Sequence, residues 1–548
     1  MKRTPRTGAP KAFAARTTIW LIALVVWIIP ALSVAQGNGY FIQLSDKKES
    51  PYTLNNPQAY LSGRAIERRV RQQIPFDQND LPVSPAYIEG IEACGAKVKH
   101  VSKWLNGVIL FCDDAAVLER IKALPYVVTI EKTKETPGAQ PSSIIKTLPL
   151  TEGNKSTATA NQIGMVKGNY LHQKGYTGQG IHIAVLDAGF RDVDKLGAFS
   201  HLFNQNRILG IKDFVADGTP FYETDTHGLH VLSIMAGKID GQFEGSAHAA
   251  SYYLFRTEDM NSEYPVEADY WVCAAELADS LGVDIIQSSL GYFYFDNPLM
   301  NYANQQLDGS TRISKAASMA AKKGIIVVNS AGNEANNDWR YVIMPADSPH
   351  ILTVGAVSSD GTRASFSSAG YPTSNIIKPD VMALGRGTSL ISTGNRITTG
   401  NGTSYASPVI SGLTACLWQA EPQKKANEII QIIRQSGQLW SNPDYLNGYG
   451  LPDFNKALQQ ATAIEPVITQ AWTIHPNPFK THFTLSCPDL EASATISIYT
   501  MSGIKLWEGQ FLPSPEIRIT PDVNISPGIY ILSIETNKFA WSRKIHKQ

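Results

Sequence analysis

Three short segments carry the side-chain types that hydrolysis by an activated serine requires. Asp187 ends an apolar run, His227 begins a predicted helix, and Ser404 lies between small residues and a second predicted helix. Such chemistry needs a nucleophilic hydroxyl, a base that removes its proton, and an acid that orients the base. The three residues, in the chain order Asp, His, Ser, therefore form a candidate catalytic triad.

A fourth segment contains Asn333 directly after Gly332. The side-chain NH2 of an asparagine is a hydrogen-bond donor that can stabilise the negative charge developing on a carbonyl oxygen. A Gly-Asn pair is also typical of a turn. By itself, this segment leaves both interpretations open.

Each candidate has a simpler interpretation. Asp187, close before Gly189, is typical of a turn, and Ser404 before a helix is typical of an N-cap. His227 is compatible with an ordinary polar residue at the start of a helix. A rival interpretation is a metal site formed with His230 and Asp225, although no HExxH pattern follows.

The tripeptide Gly-Thr-Ser occurs twice, and its first copy ends at Ser389. The residues after Ser389 have the pattern of a strand and a turn, so this serine lacks the helix predicted after Ser404. Ser404 is therefore the better candidate nucleophile.

The residues around these candidates predict a doubly covered parallel sheet. Short apolar runs are predicted as strands, and longer stretches between them as helices; the strands are 181–186, 283–287, 324–328 and 351–357, and two of the helices are 268–281 and 314–323. Ligands of such α/β sheets bind outside the carboxyl ends of the strands. Asp187, Ser289 and Asn333 each follow a predicted strand, which favours a common site.

Together the four segments, 184–189, 227–231, 329–334 and 402–408, resemble those of the subtilisin-like peptidases (subtilases) over roughly 300 residues. The resemblance implies a subtilisin-like α/β fold and a secreted serine endopeptidase working through an acyl-enzyme. It implies that Asp187 orients His227, that Ser404 is the nucleophile, and that Asn333 donates to the oxyanion. Ser289, Leu290 and Gly291 match the strand that pairs with the substrate residues preceding the scissile bond. Leu229 departs from the pattern, because the family usually has threonine there.

The segments that precede the candidate site predict three further units. Residues 1–35 have a basic start, an apolar stretch and small residues at 33–35, which is typical of a signal peptide cleaved after Ala35. Residues 36–135 alternate predicted strands and helices and resemble the inhibitory propeptide of the family. Residues 136–160 are rich in Pro, Ser, Thr and Gly and predict a linker with the processing site. The catalytic domain is expected at 161–462.

Residues 463–548 predict an all-β sandwich. The Pro-Asn-Pro at 476–478, the turn at 501–503, the Pro-Gly-Ile-Tyr at 527–530 and the basic end at 543–547 resemble the sorting domain of type IX secretion cargo. His475 replaces the tyrosine usual before Pro-Asn-Pro. The alternative is a sandwich that binds carbohydrate or a partner protein.

The composition limits the classes of binding partner that are expected. Lysine plus arginine and aspartate plus glutamate are 48 each, so no global charge attracts nucleic acid or an anionic membrane. None of the five cysteines forms a CxxC pair. The expected partners are protein or peptide substrates, the chain's own propeptide and the type IX machinery. No transmembrane segment is expected after signal removal, and export through the periplasm to the cell surface or medium is predicted.

No cofactor is expected to be required. Subtilases often bind calcium, but no loop has a recognisable ligand spacing, so no calcium site is assigned. Two alternatives for the whole chain are an inactive subtilase-fold binding module and a serine hydrolase that does not cleave peptides. The chain has no GxSxG segment, which argues against an esterase-type nucleophile.

Overall fold

The computed structural model describes residues 37–48, 50–136, 151–152, 159–462, 472–487, 490, 493–501, 504–536 and 540–548. The predicted signal peptide, most of the predicted linker and the turn at 502–503 lie outside these residues. The chain divides after Leu458 into two compact units. No helix in the described ranges is both long and apolar enough to cross a membrane.

The first unit begins with a small α+β domain. Its antiparallel sheet has the order β2-β3-β1-β4. The elements are β1 Gly39–Leu44, α1 Gly63–Gln72, α2 Pro85–Ala93, β2 Val98–Ser102, β3 Gly107–Phe111, α3 Ala115–Lys122 and β4 Val127–Lys134. The mostly apolar run from Trp104 to Phe111 predicts a strand over its whole length, but β3 starts only at Gly107, because a turn with Asn106 at a φ of 48° comes first. The sequence pattern does not predict α1 or β2.

Seven parallel strands form the central sheet of the chain, in the order β14-β13-β12-β11-β6-β10-β7. They are β6 His182–Asp187, β7 Ile208–Asp213, β10 Ser251–Arg256, β11 Ile285–Ser288, β12 Ile326–Ser330, β13 Leu352–Val357 and β14 Val381–Leu384. The inner strands are apolar and buried along almost their whole length, as expected for a sheet covered on both faces.

The sheet carries helices on both faces. Ala184 and Leu186, alternate residues of β6, share one core with helices α8 and α9. Helix α10 contacts strands β11–β14 and also packs against α7. The helices are α4 Ala160–Met165, α5 Asn169–Gln173, α6 Ser200–Asn204, α7 His227–Ala236, α8 Pro265–Leu281, α9 Arg312–Lys322, α10 Thr403–Ala420, α11 Ala426–Ser436 and α12 Phe454–Thr462. This confirms the predicted α/β class.

Five short strands complete the first unit. β5 Thr151–Glu152, β15 Arg386–Ser392 and β16 Arg396–Asn401 form a three-stranded sheet, and β8 Lys238–Ile239 pairs with β9 Phe243–Glu244. Ser389 lies within β15, where its backbone N–H donates to the side chain of Gln162 at 2.8 Å. The strand predicted after the first Gly-Thr-Ser is thus present.

After the end of α12 at Thr462, the second unit is all-β, as predicted. A three-stranded sheet has the order β17-β18-β21 and a four-stranded sheet the order β20-β19-β22-β23, all antiparallel. Side chains from both sheets form one core, which makes a sandwich. The strands are β17 Thr473–His475, β18 Phe483–Ser486, β19 Ala494–Thr500, β20 Lys505–Phe511, β21 Glu516–Ile519, β22 Gly528–Glu535 and β23 Ala540–Lys547.

Candidate active site

Asp187 and His227 meet at the carboxyl end of β6. The Nδ1 atom of His227 lies 2.7 Å from Oδ1 of Asp187, and both side chains are buried. The same oxygen accepts a hydrogen bond from the backbone N–H of Ala188 at 2.8 Å. These contacts hold the imidazole by one nitrogen and leave Nε2 as its other basic atom.

The approach of α7 to β6 depends on Gly228. A Cβ atom at this position would lie 2.4 Å from the carbonyl oxygen of Gly189 and 2.9 Å from Cβ of Asp187. Any larger residue would therefore push the helix away from the strand. His227 is the first residue of α7, and its backbone N–H donates to Oδ1 of Asp225 at 2.7 Å.

Ser404 lies in the first turn of α10 rather than before the helix. The helix begins at Thr403, and its N-cap is Gly402 with a φ of 147°. The N-cap interpretation of Ser404 is therefore wrong, because the residue is inside the helix. Its side chain is partly exposed, and its Oγ lies 3.3 Å from the carbonyl oxygen of Ser289.

Pro408 and Ser289 act on the same backbone group of Ser404. A proline has no N–H, so Pro408 removes the helical hydrogen bond to the carbonyl oxygen four residues earlier, which is that of Ser404. The Oγ of Ser289 donates to this oxygen at 2.8 Å instead. The proline in the helix thus frees an acceptor that ties Ser404 to the end of β11.

Asn333 is fixed to the start of α10 by its oxygen atom. Its Oδ1 accepts hydrogen bonds from the backbone N–H of Thr403 at 2.9 Å and from Oγ1 of Thr403 at 3.1 Å. The same Oγ1 accepts from the backbone N–H of Gly332 at 3.1 Å. These bonds direct the Nδ2 amino group of Asn333 away from Thr403, where it is available as a donor.

One cavity of about 250 Å³ brings most of the predicted site residues together. His227, Ser404, Asn333, Ser289, Leu290 and Gly291 all line it. Asp187 stands behind His227 with no exposed surface. Ser289–Gly291 follow β11 outside the sheet, and Tyr292 makes an isolated antiparallel bridge with Met344. Ser389 does not line this cavity.

The two histidines of α7 have opposite electrostatic environments. Burial lowers the pKa of His227, but the negative charge of Asp187 and the hydrogen bond with it outweigh burial and raise that pKa above its ordinary value. Burial and the charge of His227 lower the pKa of His230 to about 4. His230 packs against the ring of Tyr405. These facts fit a base at His227 and a structural role for His230.

The predicted alternative of a metal site at His227, His230 and Asp225 gains no support. No group of three or more His, Cys, Asp or Glu side chains in the described ranges is arranged to hold a metal ion. Asp225 instead accepts a hydrogen bond from the backbone of His227. All five cysteines are free thiols, so Cys94 and Cys112 do not pair.

Among the cavity residues that the sequence did not predict are two glutamates. Glu258 and Glu263 line it from the segment between β10 and α8, which no motif includes. Their position just past the carboxyl end of a strand was the available signal. That signal becomes useful only once β10 is known to lie beside β6, the strand that carries Asp187.

Comparisons with known proteins agree with the architecture. Residues 178–451 match the model of the subtilase family, residues 39–146 that of the peptidase S8 propeptide domain of Bacteroidota, and residues 473–548 that of the secretion system C-terminal sorting domain. Subtilisin E of Bacillus subtilis (strain 168) is 28% identical over 367 residues, which cover 67% of this chain and 84% of subtilisin E. A subtilisin of Bacillus pumilus is 29% identical over 299 residues, covering 54% of this chain and 98% of its own length.

Among solved structures, the MycP3 protease from the type VII (ESX-3) secretion system aligns with a TM-score of 0.43 and 22% identity, covering 58% of this chain and 94% of that chain. The subtilase model spans half of the chain and includes every predicted site residue. The chain therefore belongs to the subtilase family and is a serine-type endopeptidase with a Bacteroidota S8 propeptide domain and a C-terminal secretion sorting domain.

Proposed function

We propose that Asp187, His227 and Ser404 form the catalytic triad of this endopeptidase. The 2.7 Å contact between Asp187 and His227, in a cavity that also contains Ser404, is the observation that carries the proposal. Asp187 fixes the ring through Nδ1, so Nε2 is the atom that accepts the proton of Ser404.

The reaction then has two stages. Oγ of Ser404 attacks the carbonyl carbon of the scissile peptide while His227 takes the hydroxyl proton and passes it to the departing amine. The acyl-enzyme is hydrolysed by a water molecule that His227 deprotonates, and the proton returns to Oγ. Asp187 stays ionised throughout and stabilises the imidazolium that forms in each stage.

Asn333 and the backbone N–H of Ser404 are proposed as the donors of the oxyanion hole. A Cβ atom built at Gly402 would lie 3.6 Å from Nδ2 of Asn333 and 3.7 Å from the backbone nitrogen of Ser404, so the two donors flank one point. The N–H groups in the first turn of a helix have no partner within the helix, and they favour negative charge. Both features support the assignment.

Ser289, Leu290 and Gly291 are proposed to bind the substrate residues preceding the scissile bond. They are contiguous, line the cavity beside Ser404 and follow a strand end, so their backbone can pair with an extended peptide. No cofactor is required for this reaction, and no calcium site is assigned.

The segments outside the catalytic domain are proposed to serve export of the chain and inhibition of the enzyme before processing. Residues 1–35 are a signal peptide, 36–135 an inhibitory propeptide domain, 136–160 a linker with the processing site, 161–462 the catalytic domain and 463–548 the sorting domain. On this proposal the chain crosses the periplasm and is released or held at the cell surface by the type IX machinery. Its partners are protein or peptide substrates, its propeptide and that machinery.

One experiment tests the triad against both alternatives. A fluorophosphonate probe should label the mature enzyme at Ser404, and casein should be cleaved much faster than short-chain esters. Absence of labelling would favour an inactive binding module. Labelling with ester hydrolysis alone would favour a non-peptidase serine hydrolase.

A further inference from the structure

Two buried glutamates line one part of the catalytic cavity, and a third, the partly exposed Glu334, lines another part of it. Glu258 and Glu263 lie in the connection between β10 and α8, and their side chains face the cavity that also contains His227 and Ser404. Glu258 is 2% exposed and Glu263 is 8% exposed. Carboxylates so deeply buried are costly unless a partner compensates their charge.

The two carboxylates differ in their partners. Glu258 accepts hydrogen bonds from the hydroxyl groups of Thr257 and Tyr292. Glu263 receives no side-chain hydrogen bond and no ion pair from any residue that the structure describes; only its backbone is bonded, to Asp296. Glu263 therefore has no compensating partner among the described side chains, and its side chain lines the cavity.

The surroundings of the pair are mainly negative. Burial raises the pKa of Glu258 to about 7, and the charge of Asp187 adds to this while His227 opposes it. Burial and the charges of Glu258 and Asp296 raise the pKa of Glu263. Behind them, Glu267 uses its carboxylate to accept from the backbone N–H groups of Asp259 and Tyr264. A cation entering the cavity would find several acceptors and little competing positive charge.

We propose that Glu258 and Glu263 form a subsite that binds a lysine or arginine side chain of the substrate, among the residues preceding the scissile bond. The inference rests on the proposed function, because it needs a peptide lying along Ser289–Gly291. Leu290 and Phe293 line the same cavity, so the aliphatic part of a lysine or arginine has an apolar surface to cover. Its charged end then supplies the donor that Glu263 lacks.

The propeptide gives independent support. Lys134, the last residue of β4, donates to Oδ2 of Asp259 at 2.9 Å and is 6% exposed. Asp259 is the residue after Glu258, so this connection already holds a lysine ammonium in the unprocessed chain. When the propeptide leaves, it removes this cation and increases the negative charge of the connection that carries Glu258.

The test uses the mature enzyme and peptides with one cleavable bond, confirmed by mass spectrometry. Lysine, arginine and the uncharged norleucine are placed in turn at each of the four positions before that bond. At one position kcat/KM should favour lysine or arginine over norleucine at least about tenfold, as expected for a buried charge pair. Glu263→Gln should remove most of this preference, and Glu263→Asp should retain most of it.

Glu223→Gln is the matched control, because it removes one exposed carboxylate of the same unit. It should leave the preference unchanged. Thermal melts and fluorophosphonate labelling of each variant show whether it is folded and retains its nucleophile. Glutamine keeps the shape of glutamate and relieves repulsion between the carboxylates, so a folded Glu263→Gln protein is expected.

The pH dependence separates this subsite from an apolar one. The groups that act on Glu258 are Thr257, Tyr292, Asp187, His227, Glu263 and Glu267. Ionisation of Glu258 increases through about pH 7, so the ratio of lysine to norleucine cleavage should rise between about pH 5.5 and 8. Taking this ratio cancels the titration of His227, which affects both substrates alike.

Three results would overturn the inference. An active, labelled enzyme that does not prefer a basic residue at any of the four positions would refute the subsite and leave the triad standing. An equal loss of preference in Glu263→Gln and Glu223→Gln would show that the preference for basic residues comes from the overall negative charge of the enzyme and not from this subsite. An enzyme that neither cleaves peptides nor labels would refute the proposed function and, with it, this subsite.

Discussion

Oδ1 of Asn333 accepts two hydrogen bonds from Thr403, the residue immediately before Ser404, at 2.9 and 3.1 Å. The candidate oxyanion donor and the candidate nucleophile are therefore held by one short segment of α10. Because the oxygen of the amide is used in this way, its NH2 group is the part left for a substrate. The Gly-Asn pair is compatible in sequence with either a turn or a donor, and these contacts orient the NH2 group of Asn333 as a donor.

Replacing Asn333 by leucine should lower kcat far more than it changes KM. The donor binds the carbonyl oxygen best once that oxygen has become negative, and only such differential binding raises kcat. Loss of the corresponding donor in subtilisin costs about 10² to 10³ in kcat. Active-site titration gives kcat for each functional molecule.

The substitution also removes the acceptor of the Thr403 hydroxyl, so a control is needed. Thr403→Val keeps Asn333 and removes only that hydroxyl. It should cost less in kcat than Asn333→Leu. If Asn333→Leu has the kcat of the unmodified enzyme but a lower melting temperature, Asn333 is a structural residue of the turn and not a donor to the oxyanion.

Ser404→Ala should abolish peptide cleavage, and Ser389→Ala should leave it intact. Ser389 lies in β15, outside the cavity, although the two serines end identical Gly-Thr-Ser tripeptides. Family enzymes process themselves, so the Ser404 variant made without other proteases should keep residues 37–160 attached. Casein cleavage and intact mass measure both outcomes, and normal casein cleavage by the Ser404 variant would falsify the triad.

Activity should fall as the pH drops through the pKa of His227. This histidine must be neutral to accept the serine proton, and its charged form is favoured by Asp187, so the acid limb of kcat/KM should lie above the unperturbed value of about 6.5. A peptide with only neutral side chains should be used, because Glu258 titrates nearby.

Asp187→Asn supplies the matched variant for this pH profile. It removes the charge that raises the pKa of His227, so the acid limb should move to lower pH. It should also lower kcat by about 10⁴, as the equivalent change does in other triads, because the ring is then held in the wrong tautomer. An acid limb at the same pH in both enzymes would show that a group other than His227 is being titrated.

Asp279→Asn should destabilise the unprocessed chain much more than the mature enzyme. The carboxylate of Asp279 in α8 is fully buried against Arg68 and Arg69 of the propeptide domain and accepts from Lys103 at 2.9 Å. Removing one partner of such a group leaves buried charges without compensation and costs about 3–5 kcal/mol. Once the propeptide has left, solvent replaces these partners.

Thermal unfolding of two proteins measures this difference. Asp279→Asn is introduced into the Ser404→Ala chain, which keeps its propeptide, and into the mature enzyme. The change in the free energy of unfolding should be within about 0.5 kcal/mol in the mature enzyme, as for other surface substitutions. Equal destabilisation in both would show that the propeptide ion pairs contribute nothing.

A chain ending at residue 462 should cleave peptides normally in vitro. The chain divides into its compact units after Leu458, and this truncation keeps α12, whose Phe454 is buried and donates its backbone N–H to Val166 at 2.9 Å. A chain ending at residue 453 loses that helix and should be less stable. Circular dichroism melts and kcat/KM on one peptide compare the two.

In the bacterial host the chain ending at residue 462 should stall in the periplasm, because it lacks the sorting domain matched at 473–548. Fractionation of cells and medium measures its location. Export as efficient as that of the full chain would refute the sorting function and favour a binding role for the sandwich.

The sequence by itself was sufficient for four of the seven strands of the central sheet, their parallel direction and the candidate triad, whereas β7, β10 and β14 were not predicted. Buried strands such as β6 and β12 are mostly apolar runs, and such a run can be recognised from neighbouring residues alone. Asp187, His227 and Ser404 stood out because each occupies a strand end or helix start within a short motif. The small domain was harder: α1 was missed because five of its ten residues are charged, namely Arg64, Glu67, Arg68, Arg69 and Arg71. The burial of Arg68 and Arg69 depends on Asp279, more than 200 residues away.

Only the tertiary structure decided how the site is supported. Pro408 in a helix has no local explanation, and it acquires one when Ser289, distant in sequence, donates to the carbonyl that the proline leaves free. Glu258 and Glu263 belong to no motif, and their burial in the catalytic cavity follows from the order of the strands rather than from their neighbours in the chain. Local patterns specify which residues form strands and helices, whereas contacts between distant segments specify which polar groups are desolvated together. The second kind of information determines the charge of this site and, through the proposed subsite, its specificity.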